Sequence, residues 1–182
     1  QVLDRSSVFV RKIDKLPLPV KSAPGFLVNR ILLPYMMEAV TMLQEGIPGP
    51  VIDKAARDFG MPMGPIELAD KVGLDVCLHA LEKLTTSLGT GHHTPVPEEL
   101  KNLVSQGYLG VKTGRGFYTY DKKGKIIKNA TTSKTITDKP ADMIERLIFR
   151  MLNEAVACLR EGVVTSAEYL DAGCIFGFGF PP

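Results

Sequence analysis

The sequence predicts an all-α fold built around one long helix, and three observations predict it. Across residues 26–45 the apolar side chains Ile31, Leu32, Tyr35, Met36, Ala39, Val40 and Leu43 recur at spacings of three and four, as a buried helix face requires. Gly46, Gly60 and Gly73 then punctuate shorter stretches of similar character. Finally, the long helical pattern returns near the end of the chain with many of its residues unchanged.

Taken in order, residues 1–23 read as a connector. Val8-Phe9-Val10 and residues 16–20 are short apolar stretches, and Pro17 and Pro19 cannot donate to a β-ladder, so an edge strand or extended arm is expected. Pro24-Gly25 closes the connector, and the long helix follows, about 30 Å if continuous at ~1.5 Å per residue. Pro34 deletes one of its backbone bonds and predicts a kink rather than a break. A shorter helix is expected over Gly49–Phe59. Met61-Pro62-Met63-Gly64-Pro65 forms a rigid turn, and Pro65 suits the first position of the next helix. That helix should run over 66–88, with Gly73 as a bend or junction. A loop at 90–97 leads into a helix ending near Gln106-Gly107, and a glycine-rich stretch to Tyr118 follows, extended over 116–120.

The clearest internal feature is a repeat. Residues 30–46 (RILLPYMMEAVTMLQEG) align with 146–162 (RLIFRMLNEAVACLREG) at a constant offset of 116, and Arg, Glu-Ala-Val, Leu and Glu-Gly coincide. Beyond it, Asp53 pairs with Asp171, and Phe59-Gly60 with Phe176-Gly177. The expected organisation is a connector at 1–23, a first unit at 24–120, a polar linker at 121–138 and a truncated second unit at 139–182. Residues 176–182 read as a turn into further structure. Gln1 and Pro182 both look like cut ends of something longer.

Composition bounds the chemistry. A 182-residue chain with 45% hydrophobic and 23% charged residues is ordinary for a soluble globular protein. Its net charge of +2 gives no electrostatic case for nucleic acid. Lys112, Arg115, Lys122, Lys123, Lys125 and Lys128 read as a solvated, glycine-interrupted loop. Cys77, Cys158 and Cys174 are too few and too scattered for a disulfide framework, which points to a reducing, cytoplasmic setting. Neither paired cysteines nor a histidine cluster suggests zinc, and no apolar stretch is long enough to span a bilayer. His79 reads as a helix residue and His92-His93 as a surface loop. Glu38, Glu45, Glu154 and Glu161 recur in the repeat and read as helix-surface charges or interhelical contacts. Gly110-Val111-Lys112-Thr113-Gly114 lacks the glycine that a phosphate loop needs directly before its lysine, so nucleoside-triphosphate binding is rejected.

One segment could carry chemistry. Asn29 stands in the first turns of the long helix, just after the Pro24-Gly25 turn. Its amide offers donors and acceptors to a carbonyl or hydroxyl that changes charge in a reaction. Equally, it could satisfy backbone groups at the helix start. The residues alone leave both readings open.

Pro24-Gly25-Phe26-Leu27-Val28-Asn29-Arg30-Ile31-Leu32 closely resembles the start of the C-terminal domain of 3-hydroxyacyl-CoA dehydrogenases. Three further segments follow in the family's order: Phe59-Gly60-Met61-Pro62-Met63-Gly64-Pro65, the stretch ELADKVGLD from Glu67 to Asp75, and GVKTGRGFY from Gly110 to Tyr118. The resemblance spans about residues 8–182. It implies a helical domain similar to the C-terminal domains of 6-phosphogluconate-dehydrogenase-like enzymes. It also implies that Asn29 contacts the substrate's 3-oxygen, and that the glycine-rich stretch is a structural wrap with Lys112 or Arg115 near a partner subunit. The family's catalytic histidine and glutamate lie in a dinucleotide-binding domain, and His79, His92 and His93 match neither. No catalytic residue is therefore expected within the chain, and NAD would be bound by that other domain.

Two units in tandem further resemble the long multifunctional members, the alpha subunits of bacterial fatty acid oxidation complexes. The implied reaction is oxidation of an L-3-hydroxyacyl-CoA in β-oxidation, with a second copy or a thiolase subunit as assembly partner. A non-catalytic assembly module is the alternative.

Overall fold

A computed structural model describes residues 1–88, 96–127 and 141–182 of the chain. Its regular elements are α1 (Val2–Lys12), α2 (Val28–Gln44), α3 (Gly49–Phe59), α4 (Pro65–Val72), α5 (Leu74–Leu88), α6 (Glu98–Ser105), α7 (Met143–Arg160) and α8 (Ala167–Phe178), with a 3-10 turn at Val111–Thr113. The all-α expectation holds. Among the described residues no helix is long and apolar enough to cross a membrane. His92, His93 and Lys128 lie outside the described residues, whereas His79 sits exposed on α5.

Several boundaries follow from single residues. α3 ends at Gly60, which takes φ 119° and returns its N–H to the last turn. Pro65 occupies the first position of α4, where a missing N–H costs nothing. Gly73, at φ 102°, separates α4 from α5. α2 passes through Pro34 without ending.

The connector is a correction. An edge strand or extended arm was expected, but Val2–Lys12 is helical. Pro17 and Pro19 lie beyond Lys12, so their constraint acts only on the irregular segment 15–23. Within α1, Asp4 stands in the first turn and Arg11 and Lys12 in the last, which complements the helix dipole. α1 buries none of its residues, and Val2, Leu3, Val8 and Phe9 stay exposed.

α2 is the centre of the molecule. Besides the expected Ile31, Tyr35, Met36, Ala39 and Val40, it buries Leu33, Met37 and Met42, and with them Arg30 and Glu38. Leu32 and Leu43 are only half-buried. A second face of α2 is therefore covered, and α7 covers it. Arg30, at the start of α2, bonds Glu154 and Glu161. Arg146, at the start of α7, bonds Glu38 and Glu45. These six residues are equivalent in the repeat, so the helices run antiparallel with reciprocal ion pairs, as at an isologous dimer interface. The repeated glutamates are interhelical contacts.

The second repeat needs two corrections. Residues 176–178 are the last turn of α8 rather than a turn into other structure. Gly179, at φ 74°, caps α8 as Gly60 caps α3, so Phe59-Gly60 corresponds to Phe178-Gly179 and not to Phe176-Gly177. α8 has 12 residues to the 11 of α3, so the register slips there. The corners also pack reciprocally. A Cβ on Gly60 would meet Pro181 at 2.9 Å, and one on Gly179 would meet Pro62 at 2.8 Å. Phe180 in turn lies 6.0 Å from Phe59, ring to ring.

The start of the expected linker is also ordered. Residues 121–127 fold back on the preceding strand-like segment, with Ile127 N–H donating to Thr119 O at 2.8 Å and Asp121 accepting from Lys123 and Lys125 N–H. The rest of the linker, from Lys128, lies outside the described residues.

Candidate functional site

Asn29 is the second residue of α2 and its side chain is exposed. The turn before it puts Gly25 at φ 74° and Phe26 at φ 50°. A left-handed conformation costs a non-glycine residue about 1–2 kcal/mol. It persists here because the turn is tied down: Phe26 N–H donates to Ala23 O at 2.9 Å, and a Cβ on Gly25 would press on the Arg30 backbone at 3.1 Å. No side chain caps the start of α2, and among the described residues the Asn29 amide has no hydrogen-bond partner. Its polar atoms are therefore available at the positive end of a helix dipole. The reading in which Asn29 satisfies the helix start is not what the geometry provides.

The other family-like segments converge on two buried carboxylates. Asp53, on α3, accepts from Ile66 N–H at 2.9 Å, Glu67 N–H at 3.2 Å and the Tyr118 hydroxyl at 2.7 Å. It thereby serves as a remote cap for α4, whose first N–H groups lack helical partners. Asp70, on α4, accepts from Phe117 and Tyr118 N–H, both at 2.9 Å, and from the Tyr120 hydroxyl at 2.8 Å. The glycines make room for these bonds. A Cβ on Gly64 would lie 2.2 Å from Asp53, and those on Gly110 and Gly116 would lie 2.1 and 2.0 Å from Asp70. The sequence alone does not show that these segments share a purpose. The available signal was an aspartate in each of two apolar helices, with glycines spaced through the third segment.

Burial pushes both aspartates above the ordinary carboxylate value of 3.8, against the hydrogen bonds that lower them. A carboxyl raised on folding contributes stability that is present below its unfolded value and lost as pH rises through its folded value. Wild type should therefore gain stability relative to Asp53→Asn as pH falls from neutrality toward 3.8. Urea midpoints for both proteins across that window check this, and a constant difference would contradict it.

The glycine-rich loop is fully used by the fold. Lys112 Nζ pairs with Asp75 at 2.5 Å, and the Thr113 hydroxyl bonds within its own loop. The Arg115 guanidinium lies 4.0 Å over the Tyr108 ring. Two of its glycines, Gly110 and Gly116, face Asp70 and its lysine is paired, so these residues do not fit a dinucleotide pyrophosphate. Cys77, Cys158 and Cys174 are free thiols, which burial pushes up to about 12, 11 and 11.

Known proteins fit this picture. Residues 25–120 match the family model described as the 3-hydroxyacyl-CoA dehydrogenase C-terminal domain. The fatty acid oxidation complex subunit alpha of Vibrio cholerae is 43% identical over 180 residues, covering 94% of this chain and 25% of that protein. The chain thus spans about a quarter of the length of such relatives. The dehydrogenase part of Caenorhabditis elegans multifunctional enzyme 1 superposes with TM-score 0.68 at 29% identity, covering 100% of this chain and 43% of the other. Escherichia coli 3-hydroxybutyryl-CoA dehydrogenase shares the fold, with TM-score 0.80 at 23% identity over 98% of this chain and 55% of its own. With three of its four motifs joined through Asp53 and Asp70, and more than half its length in the family's model, the chain belongs to the 3-hydroxyacyl-CoA dehydrogenase family as a C-terminal helical domain.

Proposed function

We infer that the chain is the substrate-side domain of an NAD-dependent L-3-hydroxyacyl-CoA dehydrogenase of fatty acid β-oxidation, acting in the cytoplasm. Residues 24–120 form one unit, 139–182 the beginning of a second, and 1–23 lead in from a dinucleotide-binding domain. The exposed apolar side chains of α1 suit packing against such a domain. That domain binds NAD, which when bound supplies the hydride acceptor. Assembly with a second copy or a thiolase subunit belongs to the same reading.

The observation that carries the proposal is the Asn29 amide, exposed and unpartnered on a buried helix. Its N–H donates to the acyl-CoA 3-oxygen as that oxygen loses its proton to a base on the other domain. A preorganised donor of this kind contributes most where charge develops. In the dehydrogenase joined to its dinucleotide-binding domain, Asn29→Ala should lower kcat about 100- to 1,000-fold with the assembly state intact.

The reciprocal α2–α7 ion pairs favour a second reading, an assembly module without a catalytic part. Turnover unchanged in Asn29→Ala would leave only that one. The isolated 182-residue chain should form no NADH from a 3-hydroxyacyl-CoA, and measurable production would overturn the division of labour proposed here.

A further inference from the structure

Asn29 is exposed, yet its neighbours on both sides are gripped from behind. Leu27 lies against α8, where a Cβ on Gly173 would come within 2.4 Å of Leu27 Cδ2 and 2.8 Å of Leu18 Cδ2. One turn on, a Cβ on Gly177 would meet Val28 Cγ2 at 2.8 Å. Arg30 is 1% exposed and spends its whole guanidinium fork on α7: Nε reaches Glu154 Oε1 at 2.6 Å, and Nη1 and Nη2 reach Glu161 at 2.7 and 2.9 Å. Upstream, Lys21 N–H donates to Val163 O at 2.9 Å, between α7 and α8. Residues 21, 27, 28 and 30 are thus each held by the second repeat.

We propose that α7 and α8 position Asn29 for the reaction, with Arg30, Glu154 and Glu161 as positioning residues and the Gly173–Gly177 face of α8 as the seat of the preceding turn. The inference rests on the reading of Asn29 given above. Its physical basis is the tolerance of the chemistry. A donor aimed at developing charge loses its effect when displaced by about 1 Å. A first helical turn without a cap frays unless tertiary contacts fix it. The left-handed Phe26 also needs a surround that holds it in place. The second repeat holds the two residues that follow it, Leu27 and Val28.

The reciprocity of the repeat supplies the control. Arg146 makes the same bonds to Glu38 and Glu45 toward the other end of α2, many residues from Asn29. In the full-length dehydrogenase, kcat, KM for the acyl-CoA and Tm are measured for Glu161→Gln, Gly177→Ala, Arg146→Gln and Asn29→Ala. Glu161→Gln and Gly177→Ala should lower kcat about 10- to 100-fold with KM unchanged. Arg146→Gln should lower Tm alone. Gly177→Ala installs a better helix former, and an unchanged Tm with lost turnover separates positioning from a loosened α8. If Glu161→Gln and Gly177→Ala keep the kcat of Arg146→Gln while Asn29→Ala loses turnover, positioning is overturned and the role of Asn29 stands. If Asn29→Ala keeps full turnover, both fall.

Discussion

Asp70→Ala is expected to destabilise the protein by about 3–5 kcal/mol, enough to unfold a marginal domain. Three donors converge on that carboxylate, two backbone N–H groups and the buried Tyr120 hydroxyl. Each would be left without an acceptor, and an unsatisfied buried donor costs roughly 1–3 kcal/mol before relaxation. Asp70→Asn should recover little, because its NH2 would face one of the same donors. Gly116→Ala should be comparably damaging, since its methyl would stand 2.0 Å from Asp70 Oδ1 and 2.7 Å from Gly110 Cα. The two effects share a partner and should add to less than their sum. Urea midpoints of both single variants and the double variant measure this. A loss below about 1 kcal/mol for Asp70→Ala, the range of ordinary surface substitutions, would show that the wrap does not depend on the carboxylate.

Arg30→Ala should also cost about 3–5 kcal/mol, whereas its repeat equivalent Arg146→Ala should cost about 1 kcal/mol or less. The two arginines make the same bonds, so the difference is one of solvent. Arg30 is 1% exposed, and its partners Glu154 and Glu161 are 14% and 35% exposed. Arg146 is 28% exposed, and Glu45 is 45% exposed. Deleting Arg30 strands carboxylates at a buried seam, while water and Arg150 remain at hand for Glu38. Raising the salt concentration should narrow the gap only slightly, since buried pairs are poorly screened. Equal losses for the two variants would contradict the argument.

Much of this was legible in the residues. The spacing of apolar side chains placed α2, and Gly60 gave α3 its end, because each is a local consequence of backbone geometry. The repeat predicts a pair of equivalent helices. α1 is not legible in this way, because Val8-Phe9-Val10 has the apolar, β-branched character of a strand and Pro17 and Pro19 stand only a few residues beyond it. The repeat, too, is legible only in part. Matching letters put Gly177 opposite Gly60, but only backbone conformation identifies Gly179 as the capping residue.

Local sequence by itself determined the helices from α2 to α7, most of their stops and the family, because period, proline and glycine act within a few residues of where they stand. Tertiary structure alone decided what Arg30, Asp53 and Asp70 are for. Their partners lie 124 and 131, 13 to 65, and 47 to 50 residues away, beyond the reach of any helical period. A charged residue in an apolar helix looks the same in sequence whether it faces water or a partner. Only burial, which the packing of α7 and the 107–120 wrap imposes, turns it into a fixed point of the fold.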